Sequence, residues 1–299
     1  MTSDVQSAPR SKWRESLDYF LWFYTPFKPM TASDIYELVS TNAFSGKGLY
    51  LNLGYWKTAR TIDDACEAMA MLVAESAGVG PGSKVVDVGF GFGDQDMLWM
   101  ERLKPDHITG FNVTRSQVQL GRKRVAERGL SDRIDLREGS ATALPVPDGE
   151  FDQVVGVESA FHFDTREAFF REAFRALKPG GRLALADVIR ADPHPSRFQQ
   201  RMQRFNWNFF MQKYAVPTAN SDDRESYAAK LRAAGFTDVK VESIRDQVYP
   251  GLHKYMGEDP AMLRRFHWLA RLPYKLTLLF KADSVYSAYN YILATARKP

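Results

Sequence analysis

The chain has 299 residues, 44% of them hydrophobic and 25% charged, with a formal net charge of +4. That is ample material for one large globular domain with additions, and so mild a basic excess, spread along the chain, does not by itself argue for nucleic acid. One cysteine, Cys66, excludes an internal disulfide and points to a reducing, cytoplasmic location.

The first segment, "MTSDVQSAPRSKW", lacks the charged-then-apolar pattern of a leader, and no apolar run is long enough to span a bilayer. No integral membrane segment is expected. Residues 13–60 are rich in aromatics, among them Trp13, Tyr19, Phe20, Trp22, Phe23, Phe27, Tyr55 and Trp56, and residues 1–60 read as a helical, aromatic cap. In "IDDACEAMAMLVAESAG" the residues Ile62, Met69, Leu72 and Val73 form a helical apolar face, so Cys66 reads as a packed thiol and not as a nucleophile.

From Lys84 to Ile189 strand-like and helix-like segments alternate. "KVVDVGF", "HITGFNV", "RIDLREGS", "FDQVVGVES" and "RLALADVI" read as five strands. Between them "DQDMLWMERL", "RSQVQLGRKRVAERG" and "REAFFREAFRALKPGG" read as helices, the last stopped by Gly180-Gly181 after Pro179. Such alternation predicts a parallel sheet covered on both faces, with a ligand beyond the carboxyl ends of the strands. Residues 61–190 are this core. Residues 191–235 read as lid helices, with Phe198, Met202, Phe205 and Phe209 on one face and Trp207 and Phe210 off it. That face is expected to be core or lid packing, or a hydrophobic substrate wall. Residues 236–299 are expected to complete the sheet, with a helical insertion. In 262–281, Arg264, Arg265, Arg271 and Lys275 read as a solvated helix face; an anionic substrate group or a membrane surface is the alternative, so peripheral membrane contact stays open.

Gly89, Gly91 and Gly93 follow the first strand. Glycines there allow a tight turn or the close approach of a ligand. A dinucleotide turn wants G-x-G-x-x-G, and Asp94 stands in the place of its third glycine, where it would repel a pyrophosphate. With Asp87, Asp94 and Asp96 the mouth reads as acidic, which suits a cationic ligand such as S-adenosylmethionine. Asn112 at the tip of the second strand is placed for ribose hydroxyls, Ser140 and Ala141 for an adenine edge, and Glu158 and His162 end the fourth strand near a reaction centre.

The pieces "VVDVGFGFG", "ITGFNVTRSQV", "ATALPVPDGEFDQVVGVESAFHF" and "FRALKPGGRLALAD", in this order and preceded by "LYLNLGYW", resemble the class I S-adenosylmethionine-dependent methyltransferases. The resemblance covers residues 48–190 and is greatest to the group that methylates lipids, sterols, quinones and natural products. It implies an α/β, Rossmann-like doubly wound sheet of about seven strands, the seventh antiparallel, with helical lid additions. It implies that Gly89, Gly91 and Gly93 line the methionine part of the cofactor, with Asp87 organising the turn and Tyr55 above it. Asn112 takes the ribose position, Val113 and Gln117 bind the cofactor as well, Ser140 and Ala141 take the adenine position, and Glu158 binds cofactor and faces the substrate. Two positions depart from the pattern: the family usually has an acid where Asn112 stands and an Asp where Ser140 stands.

The expected function is methyl transfer to oxygen or carbon of an apolar or amphipathic small molecule, a natural product or lipid. His162 suits a base for an oxygen acceptor, and Glu158 suits the cation formed on an alkene. A protein that keeps the fold and cofactor as a cyclase or binding module is the alternative. No Cys/His spacing indicates a metal site, and no basic stripe with interleaved aromatics indicates a nucleic-acid partner.

Overall fold

The computed structural model describes residues 12–24, 30–31, 33–35, 47–259, 263–264 and 267–299. Phe27 and Arg265 lie outside the described residues, as does the side chain of Phe23. Helix α1 (Lys12–Tyr24) comes first, then α2 (Ile62–Ala77). The Thr61 side chain caps α2 by accepting from the Asp64 N–H, and Gly78, in the left-handed region, ends it. The core continues as β1 (Lys84–Val88), α3 (Asp94–Arg102), β2 (His107–Asn112), α4 (Arg115–Glu127), β3 (Ile134–Glu138), β4 (Phe151–Val157), α5 (Arg166–Ala176) and β5 (Leu177–Arg190). After it come α6 (Arg197–Lys213), α7 (Arg224–Ala233), β6 (Thr237–Ser243), α8 (Arg245–Glu258), α9 (Trp268–Thr277), the single turn α10 (Ala282–Val285) and β7 (Tyr289–Arg297).

The seven strands form one sheet in the order β3-β2-β1-β4-β5-β7-β6. Strands β1 to β5 are parallel, and β7 runs antiparallel between β5 and β6. The order reverses between β1 and β4, which places the crevice of a doubly wound sheet at their carboxyl ends. Successive residues of the central strands feed opposite cores. Val85, Val155, Val157, Ala184 and Ala186 pack with α2 and α3. Val86, Val88, Val154, Leu183 and Leu185 pack with α5 and α7.

Three expectations change. The helix expected to run to Gly180-Gly181 ends at Ala176, and Leu177 is already extended and paired with Phe151. Pro179 has no N–H to donate and biases Lys178 away from helical angles, so the chain enters β5 early. The Phe198, Met202, Phe205 and Phe209 face of α6 is exposed to solvent; Trp207 and Phe210 turn inward instead. The Trp207 indole gives its N–H to Ser221 Oγ and stacks on Phe210, which reaches Phe161. Helical spacing identifies a stripe but not the side of the helix on which the core lies. The third correction concerns the acids of the glycine turn and belongs to the site.

Candidate active site

The chain leaves β1 through Gly89, whose φ of +79° suits glycine and whose N–H donates to the Phe111 carbonyl at 2.7 Å. A Cβ there would lie 2.3 Å from Ser159 Cβ, so the turn closes only without a side chain. Gly91, at φ +59°, is open on its cavity side: a Cβ would meet nothing nearer than Leu51 Cδ1, at 3.5 Å. A cavity lies above this turn. Its floor is Gly89–Phe92, its far end Asn112–Thr114, Gln117 and Gly139–Ala141, its near end Val157–Ser159 and His162–Asp164, and its roof Leu49–Asn52.

Most residues expected at the site line this one cavity: Gly89, Gly91, Asn112, Val113, Gln117, Ser140, Ala141, Glu158 and His162. Three do not. Gly93 starts α3 beside Leu136. Asp87 is wholly buried below the floor, accepting from Gln95 Nε2 at 2.6 Å, and it is Gln95 that reaches the cavity. Tyr55 is pinned to α2 by its N–H on the Ala65 carbonyl, while Tyr50, five residues earlier, forms the wall. The signal that could have found Tyr50, Leu51 and Asn52 is the same "LYLNLGYW" segment, read a few residues further upstream.

The mouth is not acidic. Asp94 accepts from both terminal guanidinium nitrogens of Arg124, Nη1 and Nη2. Asp96 is wholly buried, and burial together with the neighbouring Asp87 charge holds its carboxyl well above the usual range. Burial also lifts Asp87 to about 7. The three acids, Asp87 at the end of β1 and Asp94 and Asp96 in the first turn of α3, thus meet three different surroundings, of which only the one at Asp94 borders the cavity.

Asn112 explains itself by its bonds. Its Nδ2 donates to Gln117 Oε1 at 2.8 Å and to the Gly91 carbonyl at 3.3 Å, and its Oδ1 accepts from the Thr114 N–H. A carboxylate could make only the last of these. The amide therefore braces the glycine turn against α4. Ser140 Oγ bonds Thr142 Oγ1 and the Thr142 N–H at the cavity rim.

Glu158, just beyond β4, has a positive φ of +51°. Its Oε1 accepts from the Leu53 N–H and from the Tyr291 hydroxyl, each at 2.5 Å. One carboxylate oxygen thus ties the roof segment and the central strand β7 to the end of β4. It keeps partial contact with the cavity, yet burial lifts it to about 7 against the pull of these two bonds. His162 closes a short turn, Ala160–His162, with its ring 4.0 Å from that of Phe161. The reference value near neutrality does not hold here. Burial pushes the imidazole down to about 3 although the Tyr214 main chain bonds it. Partial cavity contact does not restore ordinary solvation to either group, because the surrounding walls are Val157, Phe161 and Phe163. Among the described residues no three His, Cys, Asp or Glu side chains converge as metal ligands.

Residues 86–185 match the family model "Methyltransferase domain". The chain is 35% identical to erythromycin 3''-O-methyltransferase of Saccharopolyspora erythraea, over 97% of this chain and 98% of that one. It is 28% identical to 27-O-demethylrifamycin SV methyltransferase of Amycolatopsis mediterranei, over 84% and 91% of the two chains. Among solved structures, the [4+2]-cyclase SpnF superposes with a TM-score of 0.67 at 24% identity, over 91% and 97%, a likeness of fold. A relative of this identity spanning the whole chain, the family match over the sheet and the glycine-floored cavity agree, and the chain belongs to the class I S-adenosylmethionine-dependent methyltransferases that act on small molecules.

Proposed function

We propose that the chain methylates a hydroxyl oxygen of an apolar or amphipathic natural product, with His162 as the base. The observation that carries this reading is the place of His162 in the wall of the cavity that Gly89–Phe92 floors. The relatives support it: both are named for reactions at a hydroxyl oxygen of a natural product.

The residues present fit S-adenosylmethionine. The bare Gly91 leaves room for its amino-acid end, and Asn112 Oδ1, with one bond made, has a lone pair left for a ribose hydroxyl. Gln95 and Asn52 offer further amides, and Ser140 and Ala141 would border the base. When bound, the cofactor supplies an electrophilic methyl group on a sulfonium centre. The chain's own work is alignment, exclusion of water and removal of a proton. Leu49–Asn52 roof the cavity against solvent. His162 takes the hydroxyl proton, and because burial disfavours the imidazolium, the transfer is coupled to formation of the new oxygen–carbon bond, when that proton becomes acidic. Glu158 is a positioning residue that holds the roof through Leu53.

The test is single-turnover kinetics at saturating cofactor with hydroxylated macrocyclic acceptors, read by the mass of one added methyl group. His162→Ala should slow transfer about 10²-fold or more with cofactor affinity unchanged. A loss under tenfold for His162→Ala, with a larger one for Glu158→Gln, would move the chemistry to carbon.

A further inference from the structure

Helices α6 and α9 turn apolar side chains to solvent on the face opposite their packed one. On α6, Phe198 and Phe205 are 71% and 66% exposed, with Met202 and Phe209 completing the stripe at helical spacing. On α9, Trp268, Leu272 and Leu276 form a second stripe, continued by Leu279, which is 77% exposed, and Phe280. Helix α1 joins the two. Its Trp22 exchanges hydrogen bonds with Lys213 at the end of α6, and its Tyr24 hydroxyl donates to the Leu269 carbonyl of α9.

Charge follows the same segments. Residues 197–213 and 264–281 hold nine Lys or Arg and no acid, whereas the whole chain carries +4, so the remainder is net −5. Elsewhere some exposed cations find carboxylates: Arg102 with Glu67, Arg190 with Asp223, Arg224 with Asp192. Among the described residues, no ion pair involves Arg197, Arg201, Arg204, Lys275 or Lys281. Arg197, Arg201 and Arg204 sit at i, i+4 and i+7, one flank away from the Phe198 stripe. Lys275 flanks the Leu272 stripe of α9 in the same way.

We infer that α6 and α9 dock the enzyme on an anionic membrane surface. Aromatic and leucine side chains enter the headgroup boundary, and the flanking cations meet the lipid phosphates. Among the described residues no helix is long and apolar enough to cross a membrane, so the contact is an in-plane one. A second copy of the chain is the poorer occupant, because a two-fold contact would set these cations against their own images.

The experiment is cosedimentation of the full chain with vesicles of phosphatidylglycerol and phosphatidylcholine, beside vesicles of phosphatidylcholine alone. Binding to the anionic vesicles should be at least tenfold tighter and should fall as salt is raised. The double variants Leu272→Glu/Leu276→Glu and Lys275→Glu/Lys281→Glu should each lose it at least tenfold. Both should keep methyl transfer in solution, since all four residues lie outside the cavity. The first tests the apolar stripe and the second the charge, at sites already in water, and retained activity reports a folded enzyme. Equal or absent binding to the two vesicle types overturns the inference. So does light scattering that shows a dimer dispersed by Leu272→Glu/Leu276→Glu in a chain that ignores vesicles.

Discussion

Glu158 carries an unusual load for one side chain. Its oxygen holds Leu53 and Tyr291 together, and it does so from a place where a charge is poorly solvated. Because the folded carboxyl is lifted from its ordinary 4.5 to about 7, its contribution to stability is fully present below pH 4.5. It is lost as the pH rises through 7. Allowing for its contact with the cavity, the carboxylate costs the fold about 2 kcal/mol at pH 8. Gln keeps the acceptor oxygen and never ionises. Glu158→Gln should therefore match the wild type in thermal unfolding at pH 4 and melt a few degrees higher at pH 8. Equal melting temperatures at both pH values would show that the group does not titrate in that range. His162 works in the opposite sense. A value near 3 keeps it uncharged above about pH 5, so the pH–rate profile should show no acid limb from an imidazole between pH 5 and 8. An inflection near 6.5 in single-turnover rates would show that water reaches the ring.

At the scale of elements, the roof segment 48–56 is held by single hydrogen bonds and by the packing of Tyr50, Leu53, Tyr55 and Trp56 on the core. Leu53 hangs on Glu158, Gly54 on the Asn52 side chain, Tyr55 on Ala65 and Trp56 on Gln247. Cys66 gives its thiol proton to the Asn52 carbonyl beneath it. Glu158→Ala should speed hydrogen exchange at Leu53 about tenfold, Glu158→Gln should not, and added cofactor should slow it in both the wild type and the Gln variant. Unchanged exchange in the Ala variant would mean that the roof is held elsewhere. The elements themselves were largely legible in the chain. The alternation from Lys84 to Ile189 located β1 to β5, because buried parallel strands read as runs of Val, Ile and Leu between helical patterns. Less legible was what depends on the third dimension. The stripe on α6 was visible, but the sheet lies on its other side. The acids after the glycines were visible, but Arg124 and the depth of Asp96 were not, since both come from packing between elements far apart in sequence. The lining of the candidate cavity was legible where the glycine turn and the tip of β2 make it, at Gly89, Gly91 and Asn112, and illegible where the roof contributes, at Tyr50 and Asn52.

For the whole molecule, one buried cation ties the lower core together. Arg166, wholly buried, donates to Asp187 Oδ2 and Asp222 Oδ2, both at 2.9 Å, and to the carbonyls of Val188 and Asn220. It joins the start of α5 to β5 and to the segment before α7, and Tyr227 adds its hydroxyl to Asp187. Removing Arg166 leaves Asp187 buried without a cation, while Asp222 keeps Lys230, so Arg166→Met should cost about 3–5 kcal/mol in denaturant unfolding. A loss below 1 kcal/mol would mean that the acids take up protons or water without strain. The sheet order has a consequence for how the chain is made. Strand β7 leaves the ribosome after β6 yet belongs between β5 and β6. Until Tyr289–Arg297 emerge, a nascent chain holds two open edges, one of them the apolar run from Leu183 to Ile189. Such edges recruit strands from neighbouring polypeptides. Strand β7 closes both, so the interval between synthesis of β5 and of β7 is when the nascent chain leaves these edges open to its neighbours.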